Sequence, residues 1–152
     1  MLGLLPDISN YESFCVVRNP YDRTLSSVMH FSEARWVSSE DEDERRTGFD
    51  KNLKAWLEMP LSDHNIRAHR RSQIDFIRNR HGEIAVDHIL RFENLADDLS
   101  DLLTRFGIRN RMVARVGDSG RKREYRDFYT PDAQRLVDNA FGQDIEKLGY
   151  SF

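Results

Sequence analysis

The sequence predicts an α/β fold in which a parallel sheet is flanked by helices. Residues 13–17 form a short, continuous apolar run, which is typical of a strand buried within a sheet. Residues 84–92 alternate between apolar and polar side chains, which indicates a second strand. A helical pattern follows each segment, and this alternation favours parallel strands because the helix carries the chain back across the sheet.

The first strand leads directly into a helix. Asn19 and Pro20 follow the apolar run, and they suit the cap and the first position of a helix. The next apolar residues recur at the spacing of one helix face: Tyr21, Leu25, Val28 and Met29. We therefore expect a helix from Pro20 to about Phe31.

The middle of the chain carries weaker patterns. Residues 38–48 are polar and dense in charge, which predicts a solvated loop. A short amphipathic helix is expected to follow and to end at Pro60, with an apolar face made of Phe49, Leu53, Trp56 and Leu57. Residues 61–72 are rich in arginine and show no clear period.

The last third of the chain predicts two helices. The first follows the second strand, ends at Gly107 and has an apolar face made of Leu95, Leu99, Leu102, Leu103 and Phe106. The second begins after Thr130 and turns four residues inward: Leu136, Val137, Ala140 and Phe141. The apolar tail at 145–152 is expected to dock on the core.

Composition limits the class of protein. A chain of 152 residues with 39% hydrophobic residues fits a single domain over residues 1–152. It has no apolar run of about 18 residues and no basic start, so neither a membrane span nor a signal peptide is expected. The single cysteine, Cys15, excludes an intramolecular disulfide and suits a reducing compartment, so a cytoplasmic location is expected.

Arginine is abundant for a mildly acidic chain. Nineteen of the 23 basic residues are arginine, while the formal net charge is −3. Genome base composition can produce this bias, but the planar guanidinium also suits phosphate and sulfate. Residues 40–44 are wholly acidic whereas residues 109–126 are strongly basic, which favours a discrete anion site over general nucleic-acid binding.

The segment between the first strand and the first helix holds the side chains best suited to bind an anion. The strand would deliver Arg18 at its carboxyl end, where ligands of open α/β sheets bind. The start of the helix adds N–H groups and a positive dipole end, and the Ser26 hydroxyl could reach the same anion. Alternatively, Arg18 pairs with a core carboxylate such as Glu93, and Ser26 only faces the next turn. The residues alone leave both interpretations open.

Three ordered blocks of the sequence resemble one enzyme family. Residues 17–26 are similar to the pattern V-R-N/D-P-x-x-R-x-x-S, and Gln73 is followed by an R-F-E-N-L turn at 91–95. Residues 125–150 resemble the ending of the same family, in which a tyrosine-containing segment, a helix, an aspartate and Gly-Tyr occur in order. Together the blocks resemble sulfotransferases that use 3′-phosphoadenosine 5′-phosphosulfate (PAPS), in particular carbohydrate sulfotransferases and their bacterial relatives.

This resemblance implies a P-loop-type sulfotransferase fold and a reaction that needs no metal. PAPS would donate a sulfuryl group to a hydroxyl or amine of a carbohydrate or another small acceptor. Arg18 and Ser26 would hold the 3′-phosphate of PAPS. The family lays a later loop over that phosphate, and residues 117–123 stand in the corresponding place, with Arg121 as the candidate within it. Glu93 is interpreted as structural.

One signature of the family is missing from this sequence. The family begins with a P-loop-type strand, loop and helix that bind the 5′-phosphosulfate through a lysine, but no lysine precedes Lys51. The catalytic base of the family usually lies in the same early part, so no catalytic residue is assigned. The five histidines are interpreted as surface or core residues: His30, His64, His69, His81 and His88.

We therefore expect a partial, N-terminally incomplete domain whose activity as this chain is weak or absent. The strand at 13–17 is expected to expose a sheet edge that favours self-association.

Two other functions are possible for this sequence. One alternative is a non-catalytic module that binds adenosine 3′,5′-bisphosphate. Another is an arginine-rich binder of nucleic acid or another polyanion, using residues 66–80 and 109–126, which the acidic run at 40–44 and the pI near 6.0 disfavour.

Overall fold

The computed structural model of the protein describes residues 11–108 and 123–152. These residues form a helix-rich α/β fold with two short strands. The elements in chain order are β1 (Phe14–Val17), α1 (Pro20–Phe31), α2 (Glu42–Glu58), α3 (His64–Arg70), α4 (Ile74–Ile77), β2 (His88–Arg91), α5 (Leu95–Arg105) and α6 (Pro131–Lys147). Short 3₁₀ helices connect some of them, at Ala34–Ser38, Phe92–Asn94 and Tyr125–Phe128.

The two strands pair in parallel, as predicted, with Val17 opposite Arg91. β2 is shorter than the predicted strand at 84–92, because Ile84 forms an isolated antiparallel bridge with Arg78 instead of joining the sheet. The P-loop type of the fold stays a prediction, since a two-stranded parallel sheet is compatible with it without identifying it.

The main core lies between α1, α2 and α6. Its buried residues are Tyr21, Leu25, Val28, Trp36, Phe49, Leu53, Trp56, Ile66, Tyr125, Phe128, Tyr129, Ala133, Val137 and Phe141. A second, smaller cluster against the sheet consists of Val17, Ile74, Ile77 and Leu148. On the other face of β1 the side chains are open to solvent, with Phe14 52% and Val16 43% exposed. The sheet is therefore only partly covered by the described residues.

The prediction of a solvated loop at 38–48 is wrong. α2 begins at Glu42, and the side chain of Asp41 caps it by accepting the Glu44 N–H at 3.0 Å. The acidic residues that suggested a loop occupy the first turn of this helix, where its dipole favours negative charge. The short helix expected after residue 48 is the second half of α2.

The other helices lie close to their predicted positions. α1 has the predicted bounds, and α5 ends before Gly107, whose φ of 69° lies in the left-handed region that favours glycine. α3 occupies part of the segment that showed no period. Ala140 is exposed rather than buried, because the inward face of α6 runs through Ala133, Val137, Phe141 and Asp144.

Within residues 11–108 and 123–152, no helix combines the length and apolar character needed to cross a membrane.

Candidate anion-binding site at the start of helix α1

The turn between β1 and α1 is held by groups from distant parts of the chain. The Asn19 side chain caps α1 by accepting the Tyr21 N–H at 3.0 Å. The Asn19 N–H donates to a carboxylate oxygen of Glu93 at 2.6 Å, and its side-chain amide donates to the Ser151 carbonyl at 3.2 Å. Residues far apart in sequence therefore fix this turn in one conformation.

The start of α1 offers fewer N–H groups than the sequence suggested. Pro20 has no N–H, and the N–H of Tyr21 is bonded to Asn19. Attraction for an anion at this turn therefore depends on the helix dipole and on side chains more than on first-turn N–H groups.

Arg18 lies at the carboxyl end of β1, as predicted, and its guanidinium is held in place. Its Nε donates to an Asp22 oxygen at 2.7 Å, and its Nη2 lies 2.6 Å from the same oxygen in an ion pair. The guanidinium carbon lies 4.5 Å from the centre of the Phe92 ring, which is a cation–π contact. Among the described residues, the Nη1 atom of Arg18 makes no hydrogen bond. Within the described part of the chain, the guanidinium is therefore oriented and keeps one nitrogen without a hydrogen bond.

The alternative that pairs Arg18 with a carboxylate holds in part, because Arg18 does pair with one, but that carboxylate is Asp22 and not Glu93. The two carboxylate oxygens of Glu93 accept from the Asn19 N–H and from the Tyr150 hydroxyl, the latter at 3.1 Å. Burial and the neighbouring carboxylate of Glu93 raise the pKa of Tyr150, so its hydroxyl stays protonated and donates. Glu93 therefore has a structural role at the turn, as the sequence suggested, although its partner is a backbone amide.

Ser26 lies on the same stripe of α1 as Asp22, the partner of Arg18, since the two residues are four positions apart. Its side chain is half-buried, and its hydroxyl makes no hydrogen bond within the described ranges. The neighbouring Ser27 is buried, donates to the Arg23 carbonyl at 3.0 Å and lies 3.1 Å from His69 Nδ1. Of the two adjacent serines, Ser26 is thus the one whose hydroxyl has no hydrogen-bond partner among residues 11–108 and 123–152, where no hydrogen bond joins it to Arg18 either.

The third predicted site residue, Arg121, lies outside the described residues, as does most of the loop at 117–123. The structure therefore does not test its proximity to Arg18. Arg123 is described, and it forms an ion pair with Glu40.

Sequence reasoning missed Arg126. Its guanidinium carbon lies 4.5 Å from the centre of the Tyr125 ring and 5.7 Å from that of Phe152. Since the Tyr125 hydroxyl accepts from the Asn19 side chain at 3.3 Å, Arg126 belongs to the surroundings of the α1 cap. Burial raises the pKa of Tyr125, and the Arg126 charge opposes that rise. The arginine-rich composition of 109–126 was the one sequence signal for it.

The structure assigns none of the histidines to a catalytic role. Burial lowers the pKa of His69, and the charges of His30 and Arg23 lower it further, so the ring is neutral near pH 7. His88 pairs with Glu12 at 2.5 Å, near the start of β1. In the part of the chain that the structure describes, no three His, Cys, Asp or Glu side chains are grouped so that they could hold a metal ion.

Comparisons with known proteins agree with the resemblance of the motifs. A family model described as "Sulfotransferase family" matches residues 5–151. No curated protein and no solved structure matches the chain.

Proposed function

The chain belongs to the sulfotransferase family, and we propose that it binds the 3′-phosphate of PAPS at the start of α1 through Arg18 and Ser26. The observation that carries the proposal is the orientation of the Arg18 guanidinium. Asp22 and Phe92 hold it in place, and its Nη1 atom makes no hydrogen bond among the described residues. A guanidinium nitrogen, a hydroxyl and the positive end of a helix suit a phosphate dianion. Arg121 is proposed as a further contact to the same phosphate.

When bound, PAPS would supply the sulfuryl group for transfer to a hydroxyl or amine of a carbohydrate or another small acceptor. The residues of this chain would fix the nucleotide: Arg18 would supply a charged donor and Ser26 a neutral one. Asp22 would share the guanidinium with the phosphate and hold its plane.

We also propose a cytoplasmic location, with which the free thiol of Cys15 is consistent.

Binding of adenosine 3′,5′-bisphosphate tests the proposal without requiring activity. At a concentration about 100-fold above its Kd, a ligand adds about 2.7 kcal/mol of stability, which raises the melting temperature of a chain of this size by roughly 5 to 10 °C. We expect that rise for the wild type, its loss in Arg18→Ala and a partial loss in Ser26→Ala. The control is Arg35→Ala, since the Arg35 side chain is 92% exposed.

Three outcomes separate the candidate functions. No rise with wild-type protein would overturn nucleotide binding. A rise without transfer of labelled sulfuryl to any carbohydrate tested would favour the non-catalytic module. Salt-sensitive binding to random oligonucleotides, with no response to the bisphosphate, would favour the polyanion binder.

We also propose that the chain self-associates through the outer edge of β1. Among the described residues no strand lies on that side of β1. The Ser13 carbonyl accepts the His88 N–H at 3.0 Å, so residues 13, 15 and 17 face β2 and the backbone groups of Phe14 and Val16 face away. An antiparallel second copy would pair all of these groups by placing Phe14 opposite Val16 of that copy.

This register makes Cys15 a reporter of self-association. Cys15 would lie opposite the same residue of the second copy, in a non-hydrogen-bonded pair with Cα atoms about 4.5 Å apart, which a disulfide can bridge. Mild oxidation should therefore produce a covalent dimer from wild-type protein, and Cys15→Ser should give none. A monomer at all concentrations in sedimentation velocity would overturn the proposal.

A further inference from the structure

The backbone of Arg18 is clamped by a single side chain from a distant segment. The Arg18 N–H donates to Gln73 Oε1 at 2.9 Å, and Gln73 Nε2 donates to the Arg18 carbonyl at 2.8 Å. These are the two bonds that a neighbouring strand would make with this residue. The amide of Gln73 therefore takes the place of a strand beside Arg18, and it fixes the peptide groups on both sides of the Arg18 Cα atom.

Gln73 is in turn held by a buried carboxylate. Asp144 has no exposed surface, and its oxygens accept from the Gln73 N–H at 2.8 Å and from the Ile74 N–H at 3.0 Å. The Ser72 hydroxyl donates to the same carboxylate. Since Asp144 lies near the end of α6, this helix sets the position of the segment that clamps Arg18.

Arg23 interacts electrostatically with this buried carboxylate. Burial lowers the pKa of Arg23, the charge of Asp144 opposes that effect, and the charge of Arg18 adds to it. Arg23 donates to the Ala68 carbonyl at 3.4 Å, and its guanidinium carbon lies 5.9 Å from the centre of the Phe141 ring. The Asp144 carboxylate is therefore balanced by three hydrogen-bond donors and a nearby cation, as a buried charge requires.

We propose that Gln73 and Asp144 act together as positioning residues that set the backbone of Arg18, and with it the direction in which the guanidinium meets a 3′-phosphate. The inference rests on the proposed nucleotide binding. A guanidinium recognises phosphate through directional hydrogen bonds, which an error of about 0.5 Å in the position of its backbone weakens. Glutamine suits the role because its amide carries both a donor and an acceptor, whereas a glutamate at this position would present an acceptor to the Arg18 carbonyl.

The test compares two nucleotides that differ only in the 3′-phosphate. Titration calorimetry would measure the Kd of adenosine 3′,5′-bisphosphate and of adenosine 5′-phosphate for wild type and Gln73→Glu. We expect the substitution to weaken binding of the bisphosphate by about tenfold and to leave the Kd of the 5′-phosphate unchanged. A variant that only lowers stability, Leu102→Val in α5, should leave the ratio of the two Kd values at its wild-type level.

The other outcomes of this titration separate a failure of the proposed nucleotide binding from a failure of the positioning role. No binding of the bisphosphate by wild type would overturn the proposed function itself. If wild type prefers the bisphosphate and Gln73→Glu keeps the same preference, or weakens both nucleotides equally, the positioning role is wrong.

A measurement on wild type keeps the inference testable if Gln73→Glu does not fold. In ligand-free protein, hydrogen exchange at the Arg18 amide should be as slow as in the core of α1, because Gln73 accepts from it. Exchange as fast as in an unprotected peptide would contradict the clamp.

Discussion

Along the outer edge of β1, the backbone groups are hydrogen-bonded at the carboxyl end but have no partner strand in the middle, among the described residues. At Arg18 both backbone groups are bonded by the Gln73 side chain, and the next N–H is bonded by Glu93. At Phe14 and Val16 the same edge has no strand beside it among the described residues, and the side chains are about half exposed. Within the described residues, this edge is bonded where the candidate site begins and has no partner strand at Phe14 and Val16, so the proposed ligand site and the proposed pairing edge lie on different parts of the strand.

The largest loss of stability is expected from removing Asp144, the carboxylate that holds the segment bonded to Arg18 at the carboxyl end of β1. Asp144→Ala leaves the Ser72 hydroxyl and the N–H groups of Gln73 and Ile74 without their acceptor, which should lower the free energy of unfolding by roughly 3–5 kcal/mol. Urea denaturation followed by circular dichroism measures this loss. Glu146→Ala, at an exposed position of the same helix, is the control. A loss of less than about 1 kcal/mol in Asp144→Ala would show that the carboxyl end of β1 does not depend on this carboxylate.

A smaller effect is expected from the cap of α1. Asn19→Ala removes the acceptor for the Tyr21 N–H and the donor to Tyr125 and Ser151, and it should cost about 2 kcal/mol. Asn19→Ser keeps a capping oxygen and loses the side-chain amide without adding a charge, so it should cost about half as much. Equal losses in the two variants would mean that the cap itself contributes little.

The amino end of β1 should respond to pH. The N–H and hydroxyl of Ser13 both donate to one Asp87 oxygen at 2.7 Å and hold the pKa of that carboxyl below its usual 3.8. Because the pKa is lower in the folded state, this stabilisation is present above about pH 4 and is lost as the pH falls through the folded-state pKa. Urea midpoints between pH 5 and pH 2.5 should fall more steeply for wild type than for Asp87→Asn. Parallel curves would exclude this contribution.

The smallest effect on stability is expected at Phe14, on the outer edge of β1. Phe14→Lys removes an apolar side chain that is already 52% exposed, so the free energy of unfolding should change by about 0.5 kcal/mol or less. The same substitution should abolish dimerisation, because a charged edge strand opposes pairing with another strand. A large loss of stability in a purely monomeric protein would indicate that Phe14 is covered within its own chain.

The sequence predicted the elements whose signals are local. The apolar run of β1, the Asn19-Pro20 start of α1 and the Gly107 end of α5 depend on residues a few positions apart, and all three elements are confirmed. The expected full burial of the strand is wrong, because Phe14 and Val16 are 52% and 43% exposed. α2 was missed because acidic residues suit both a solvated loop and the first turn of a helix, and Asp41 as a cap was the signal that could have separated the two.

The candidate site was predictable in part for the same reason. Arg18 at the end of the strand and Ser26 two turns along the helix follow from the motif and from helical spacing, while their role toward PAPS stays a proposal. The open alternative named Glu93 as an example of a carboxylate partner for Arg18, whereas the partner in the structure is Asp22, four residues further along the chain. For Arg126 the sequence offered only the arginine-rich composition of its segment, because its contact with Phe152 exists only in the folded chain.

By itself, the sequence determined a parallel strand pair, a capped helix after the first strand and membership of a sulfotransferase-like family, since these depend on short-range pattern and motif. Tertiary structure alone decided which side chains hold Arg18. Gln73 lies 55 residues from Arg18, and Asp144 lies 71 residues from Gln73. Hydrogen bonds over such separations depend on how helices and strands pack, and no local preference of the chain encodes them.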